Sequence, residues 1–309
     1  LLPECFGATI DPVPPGRLRG LTEPNMPIRM PPSLSTPLLA AALALAALVA
    51  TGCAFAPGSS TQAPAHASLA ALAAAPHRSP GNVARDRARH PVEVLEFFGV
   101  QPDSTVVEIL PGSAGYFMEI LAPYLRERGL YVAASRDASA PERYLADHRR
   151  LLARLAAEPA LYGKVEVTQF ATDRHEIAPA GSADFVLTFR NLHNWIDRGE
   201  VEGALRAFHR ALKPGGVLGV VDHRGRDDLP QAAQANTGYV RQDYAIALIE
   251  RAGFRLVATS EINANPRDTK DYPEGVWTLP PSYRRGDRDR ARYDAIGESD
   301  RFTLKFVRR

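Results

Sequence analysis

The sequence predicts an α/β domain built on a doubly wound, mostly parallel sheet covered by helices on both faces. From Asn82 onward, apolar β-branched segments alternate with stretches of helical periodicity, and Gly and Pro punctuate the boundaries. The last two strand-like segments have no regular helical crossover between them. Composition agrees with such a core: of 309 residues 45% are hydrophobic and 23% charged, which excludes a wholly disordered chain. With 37 Lys and Arg against 35 Asp and Glu, the formal net charge is +2, too small for a general nucleic-acid binder, and no nucleic-acid partner is expected.

Taken in order, Val92, Leu95 and Phe98 after Pro91 give one face of a short amphipathic helix. Thr105 to Leu110 reads as a buried strand, broken by Pro111-Gly112 and followed by a helical pattern through Leu125. Gly129 to Ala134 is a second strand, followed by an Arg-rich helix over Pro141 to Glu158. Strands over Val165 to Phe170 and Ala183 to Phe189 come next, then a helix over Val201 to Leu212 that stops at Lys213-Pro214-Gly215-Gly216. Val217 to Val221 is the fifth strand. A helix over Arg241 to Ala252 ends at Gly253, and strands over Phe254 to Glu261 and Arg301 to Val307 close the fold as an antiparallel hairpin at the sheet's edge. In such a sheet a ligand belongs beyond the carboxyl ends of the strands, beside the first one.

Ahead of this domain, Leu38 to Ala50 is the longest apolar run, 13 residues, too short to cross a bilayer and suited to a signal-peptide core. It closes on Val49-Ala50-Thr51-Gly52-Cys53, which resembles a lipobox whose cysteine is lipidated after cleavage, although Ala50 stands where Leu is usual. A lipid anchor through Cys53 and plain cleavage nearby both remain open. Residues 1–52 are expected to be an over-extended start plus a signal peptide, with translation beginning at Met26 or Met30. Residues 53–81 are expected to be the lipobox cysteine and a flexible Ala, Pro and Ser linker, and residues 82–309 the folded domain. Cys5 and Cys53 are the only cysteines, so neither a disulfide framework nor a cysteine zinc site is available. The expected location is exported, periplasmic or lipid-anchored, and cytoplasmic if the leader is inefficient.

The motif between the first strand and its helix is Glu108-Ile109-Leu110-Pro111-Gly112-Ser113-Ala114-Gly115. Gly112 permits a tight turn and close backbone approach, and Glu108 can accept hydrogen bonds from amines or hydroxyls. Alone, this fits plain turn chemistry as well. In the order Val106-Val107-Glu108 with Gly112 and Gly115, then Ala183 to Leu187, then Leu212-Lys213-Pro214-Gly215-Gly216, then Glu250-Arg251-Ala252-Gly253-Phe254, the chain resembles class I S-adenosylmethionine-dependent methyltransferases. Phe97-Phe98-Gly99-Val100, Ile120 to Leu125 and Asn191-Leu192-His193 are similar to a group of bacterial predicted methyltransferases that often carry a leader. The resemblance implies a Rossmann-like sheet of seven strands with the last antiparallel, and S-adenosyl-L-methionine as cofactor. It implies cofactor contacts from Glu108, Gly112, Ser113, Gly115 and Arg190, from Asp137 after the second strand and from Asp173 after the third. Leu110 and Ala114 replace glycines usual in the family, and simple counting aligns the ribose-binding acid with Ser135 rather than Asp137.

Methyl transfer from a sulfonium is an in-line displacement that depends mainly on positioning, with a general base assisting a hydroxyl or amine acceptor. His193 is the first candidate base, its alternative role being to orient its loop. Asp222, with His223, is the second, and Tyr239 is placed to close over the pocket. His175, His209 and His223 lack metal-ligand spacing with nearby carboxylates, so no metal is expected. The segment Asn265 to Asp300, with Tyr272, Trp277 and Tyr283, is long enough to act as a lid or recognition loop. The expected activity is methyl transfer to a small-molecule acceptor, with oligomeric state open. Because S-adenosylmethionine is made in the cytosol, export favours a second reading, an accessory lipoprotein that keeps the fold without transfer activity. A nicotinamide oxidoreductase is disfavoured, since Gly112 to Gly115 lacks the GxGxxG register.

Overall fold

The computed structural model describes residues 67–309 apart from 137–139 and 172–174. The leader, Cys53, Asp137 and Asp173 therefore lie outside the described residues. Four short helices, α1 (Leu69–Ala73), α2 (Pro80–Val83), α3 (Asp86–Arg89) and α4 (Pro91–Phe98), precede β1 (Thr105–Ile109). There follow α5 (Met118–Leu125), β2 (Leu130–Ser135), α6 (Glu142–Ala157), α7 (Pro159–Tyr162), β3 (Glu166–Phe170), β4 (His175–Glu176) and β5 (Ala183–Phe189). The second half holds α8 (Leu192–Arg198), α9 (Val201–Ala211), β6 (Leu212–His223), α10 (Gln242–Arg251), β7 (Phe254–Ser260), α11 (Arg290–Ile296) and β8 (Arg301–Arg308).

The strands form one sheet in the order β4-β3-β2-β1-β5-β6-β8-β7. β1 pairs in parallel with β2 and β5, and the parallel set continues to β3 on one side and β6 on the other. The mostly parallel, doubly wound architecture expected from the sequence is present, with one difference. An eighth strand, the two-residue β4, pairs antiparallel with β3 and is too short to show any periodicity. The last two strands form the expected antiparallel pair at the sheet's edge, with β8 set between β6 and the outermost β7.

The pleat distributes β1 between two apolar layers. Val107 and Ile109 join Val186, Leu218 and Phe208 on one face, and Val106 joins Phe98, Leu121 and Leu187 on the other. Strands covered on both faces are continuously apolar, so the buried Glu108 in β1 stands out chemically.

The linker expected through residue 81 ends earlier. Ser68 Oγ accepts the Ala71 N–H at 3.1 Å and caps α1, Leu69 is buried in the same apolar layer as Phe98, and His77 Nε2 lies 2.7 Å from the Glu119 carbonyl oxygen. Arg78 is buried and pairs with Asp86 at 2.5 Å and Glu119 at 3.5 Å. An isolated Ala-rich helix of this length is marginal in water, and here tertiary packing supplies what propensity cannot. Leu69→Ala is expected to lower the free energy of unfolding by about 2 kcal/mol or more, read from urea denaturation; a value near zero would restore the tether reading for this segment.

Candidate active site

The carboxyl ends of β1, β5 and β6 open on a cavity of about 360 Å³, and a second of about 270 Å³ adjoins it toward β2 and α6. Leu110, Gly112, Asp147, Asn191 and Asn194 line both, so the two read as one cleft of the size small molecules occupy. A larger cavity, about 660 Å³, lies against α3 and the segment around Pro280, but no strand end of the sheet opens into it.

Glu108 sits at the floor of the cleft, 3% exposed. Its Oε2 accepts the Tyr131 hydroxyl at 2.7 Å. Burial pushes its pKa up to about 7, against the lowering influence of the Tyr131 hydrogen bond and the Arg89 charge. Beyond β1 the chain turns through left-handed conformations at Leu110 (φ 53°) and Gly112 (φ 68°). Leu110 thus holds a backbone conformation that glycine adopts without strain, at a cost of about 1–2 kcal/mol. Asp147 on α6 pins the loop, accepting the Ser113 N–H at 3.2 Å and the Ser113 hydroxyl at 2.5 Å. The Asn191 amide donates to the Ile109 carbonyl at 3.0 Å, tying the end of β1 to the loop after β5.

Arg190, also left-handed (φ 62°), lines the cleft opposite Glu108. Phe117 and Phe189 stack with centroids 3.8 Å apart and form an apolar wall. His193, at the start of α8, is buried and lines the same cavity. Behind it, at the end of β6, the fully buried Asp222 accepts His193 Nδ1 at 2.9 Å, the His193 N–H at 3.0 Å and the His223 N–H at 2.7 Å. A carboxylate at Nδ1 fixes the tautomer that leaves Nε2 as the basic nitrogen; the Asn194 amide nitrogen lies 2.9 Å from it. His193, Asp222 and His223 bring potential ligand atoms within 4.8 Å of one another, a grouping that sequence spacing does not reveal. His193 Nδ1 and Asp222 are hydrogen-bonded to each other, and His223 Nδ1 is 2.5 Å from Ser299 Oγ. Burial, with His193 beside it, pushes the His223 pKa well down.

Residues 115–220 match the family of methyltransferase domains. Over this stretch the chain is similar to methyltransferase domains. Its fold is similar to a crystal structure of an S-adenosylmethionine-dependent methyltransferase from Aquifex aeolicus, with a TM-score of 0.50 and 17% identity over 75% of this chain and 95% of that one. It is also similar to a putative sarcosine dimethylglycine methyltransferase from Galdieria sulphuraria, with a TM-score of 0.50 and 15% identity over 73% of this chain and 85% of that one. No curated protein matches the sequence.

S-adenosylmethionine is the cofactor of this methyltransferase class, and the cleft fits it. A buried carboxylate, a loop that presents its backbone through two left-handed residues, and an apolar wall lie together at the crossing point of the sheet. Of the residues expected from the sequence, Glu108, Gly112, Ser113, Arg190 and His193 line it. Two expectations are corrected. Gly115 (φ 53°) lies in the turn before α5, where a Cβ would meet Met118 Cε at 2.6 Å, and it shapes the helix entry without lining the cleft. Tyr239 does not reach the cleft either: its hydroxyl donates to the buried Asp268 at 2.9 Å, inside a small apolar cluster with Tyr272 and Tyr293. Asp222 stands behind His193 rather than in the wall. At the end of β2 the described residues offer Ser135, whose hydroxyl is 3.0 Å from His148 Nδ1, and no carboxylate. Asp147 supplies one from the facing helix, and Asn191, Arg89 and Trp277 complete the lining. Of these four, Asn191 alone lies in a strand-end motif. Trp277, brought in by the long segment before β8, lies with its ring 6.0 Å from His193 and beneath Arg284.

A neutral Glu108 disfavours a cationic ligand, and an ammonium group favours the ionised form. Affinity for S-adenosylhomocysteine is therefore expected to rise with pH up to and through about pH 7, by up to tenfold per unit below it, with a proton released on binding. Calorimetry in buffers of different ionisation enthalpy reads that proton, and Glu108→Gln should abolish both effects. In the ligand-free protein the sign reverses. The raised pKa contributes stability that is present below the ordinary carboxylate range and is lost as pH rises through about 7.

Proposed function

We propose that this methyltransferase transfers the methyl group to a hydroxyl or amine of a small molecule, with His193 as general base. The observation that carries this reading is the Asp222 to His193 pair at 2.9 Å, set at the ends of β6 and β5 with His193 on the wall of the cleft that holds Glu108. When bound, S-adenosylmethionine supplies a methyl group already activated on a sulfonium, so this chain's contribution is placement, dryness and one proton transfer.

Glu108 and the loop from Leu110 to Ser113 hold the cofactor from below, with Asp147 keeping the loop in place. Phe117, Phe189 and Trp277 exclude water. Asp222 orients the His193 ring and stabilises the imidazolium that forms as Nε2 takes the acceptor's proton. The Asn194 amide marks where that proton is received and gives way to the acceptor. Export by the apolar leader, with attachment through Cys53, is part of the same proposal and is supported by the run from Leu38 to Ala50 and its closing cysteine.

His193→Ala is expected to lower kcat by about 10²- to 10⁴-fold while leaving S-adenosylhomocysteine affinity unchanged. Asp222→Asn, which keeps the shape but not the tautomer control, is expected to fall between His193→Ala and wild type. Turnover is followed by release of S-adenosylhomocysteine across a panel of hydroxyl- and amine-bearing compounds. Equal activity in His193→Ala would remove the base from the mechanism, and absence of S-adenosylhomocysteine binding by the wild type would favour the accessory role.

A further inference from the structure

Four guanidinium groups gather beside the cleft: Arg85 and Arg89 from the N-terminal helices, Arg190 after β5 and Arg301 at the start of β8. Arg89 is 6% exposed and Arg301 2%. One carboxylate serves three of them, since Glu298 accepts Arg85 Nε at 2.7 Å, Arg89 Nε at 3.3 Å and Arg301 Nη2. Burial alone would raise the Glu298 pKa, but Arg301, Arg89 and Arg85 outweigh it and hold the carboxyl well below its usual range. These bonds do not reach every nitrogen of the three groups. Arg85 Nη2, Arg89 Nη2 and Arg301 Nε are buried with no hydrogen-bond partner.

Arg190 is the fourth, and among the described residues no carboxylate pairs with it. Burial, reinforced by the neighbouring Arg301, lowers its pKa to about 10, so it remains charged at neutral pH. Arg89 and Arg190 both line the cleft, and Arg301 joins them around a small hollow bounded by Phe117 and Phe189. Against these four cations stand Glu298 and, acting on Arg190 from a distance, Asp222. Glu108, with its pKa raised to about 7, is matched by the cofactor's ammonium group and leaves the guanidinium groups uncompensated. Uncompensated buried charge costs several kcal/mol per ion, and truly orphaned buried donors are rare in folded proteins. A ligand that brings negative charge resolves both. The cofactor brings one carboxylate, which meets at most one of these forks, and its ammonium and sulfonium add positive charge, so the group stays short of anions.

We propose that the methyl acceptor is an anion, bearing a carboxylate or phosphate group that seats on Arg190 and Arg89, with its apolar body against Phe117 and Phe189. The guanidinium fork suits both anions, since its parallel N–H groups meet two oxygens at once. This inference rests on the methyltransferase reading and names its substrate class. The anionic group is a handle distinct from the atom methylated, which lies toward His193.

The test is calorimetric titration of the protein, saturated with S-adenosylhomocysteine, using benzoate, phenyl phosphate and the neutral benzamide. Wild type is expected to bind at least one anion about tenfold or more tightly than benzamide, the value of a charged hydrogen bond, and the tighter anion tells carboxylate from phosphate. This proposal moves Arg190 from the cofactor contacts that the resemblance implies to the acceptor, so Arg190→Gln is expected to lose that preference and keep S-adenosylhomocysteine affinity. Arg190→Lys, which keeps the charge without the fork, should retain part of the preference and covers the case in which the glutamine variant does not fold. No preference for either anion in wild type, or an undiminished preference in Arg190→Gln, overturns the proposal. Loss of S-adenosylhomocysteine binding in Arg190→Gln also overturns it, by assigning Arg190 to the cofactor. Failure of wild type to bind S-adenosylhomocysteine sinks the methyltransferase reading itself and is seen before any anion is added.

Discussion

Everything in this protein follows from burying a parallel sheet on both faces. β1 is hydrogen-bonded to β2 on one side and β5 on the other, and apolar layers cover it above and below. The only place where its polar groups can meet a ligand is the carboxyl end. There the chain turns away through Leu110 and Gly112, and a carboxylate, a histidine and an arginine from three separate segments converge. The cleft is a product of the sheet's closure, and its chemistry comes from the few polar residues that the closure cannot expel.

Asp222 illustrates how such a residue is kept. Three donors meet its two oxygens, so its burial is compensated, and the compensation also orients His193. The arginine group is the opposite case. Glu298 satisfies part of three side chains and leaves nitrogen atoms buried and unpaired. Within a few ångströms the same fold holds one balanced polar network and one unbalanced one, and the imbalance faces the cleft.

Much of this was legible in the sequence, because strand periodicity and turn residues are local properties. The β1 strand, its Gly112 turn and the stop before Gly215 are each encoded within a few residues, and so were placed closely. Glu108 stood out as a carboxylate in an apolar strand. What escaped was long-range. Asp147 lies in the middle of a helix among other charges, with Arg150 of the same helix beside it, and only the packing of α6 against the loop brings it to Ser113. Arg89 reaches the cleft from the first helices of the domain, while Trp277 arrives on the long segment that its length had marked as a lid or recognition loop. Tyr239 was misplaced because nothing local distinguishes a tyrosine facing a pocket from one bonded to Asp268 across 29 residues. The α1 segment was read as tether because its helical propensity is weak in isolation, while the contacts of Leu69 and Arg78 that hold it are tertiary.

The position of β8 bears on how the chain matures. Because it is threaded between β6 and β7, β6 has no neighbour on that flank until the segment from Arg301 has left the ribosome, and β7 has nowhere to dock. During synthesis the growing polypeptide therefore carries a raw, sticky flank. Arg301 begins that same late strand and helps frame the arginine group, so the anion seat takes shape only as the last gap in the sheet is filled.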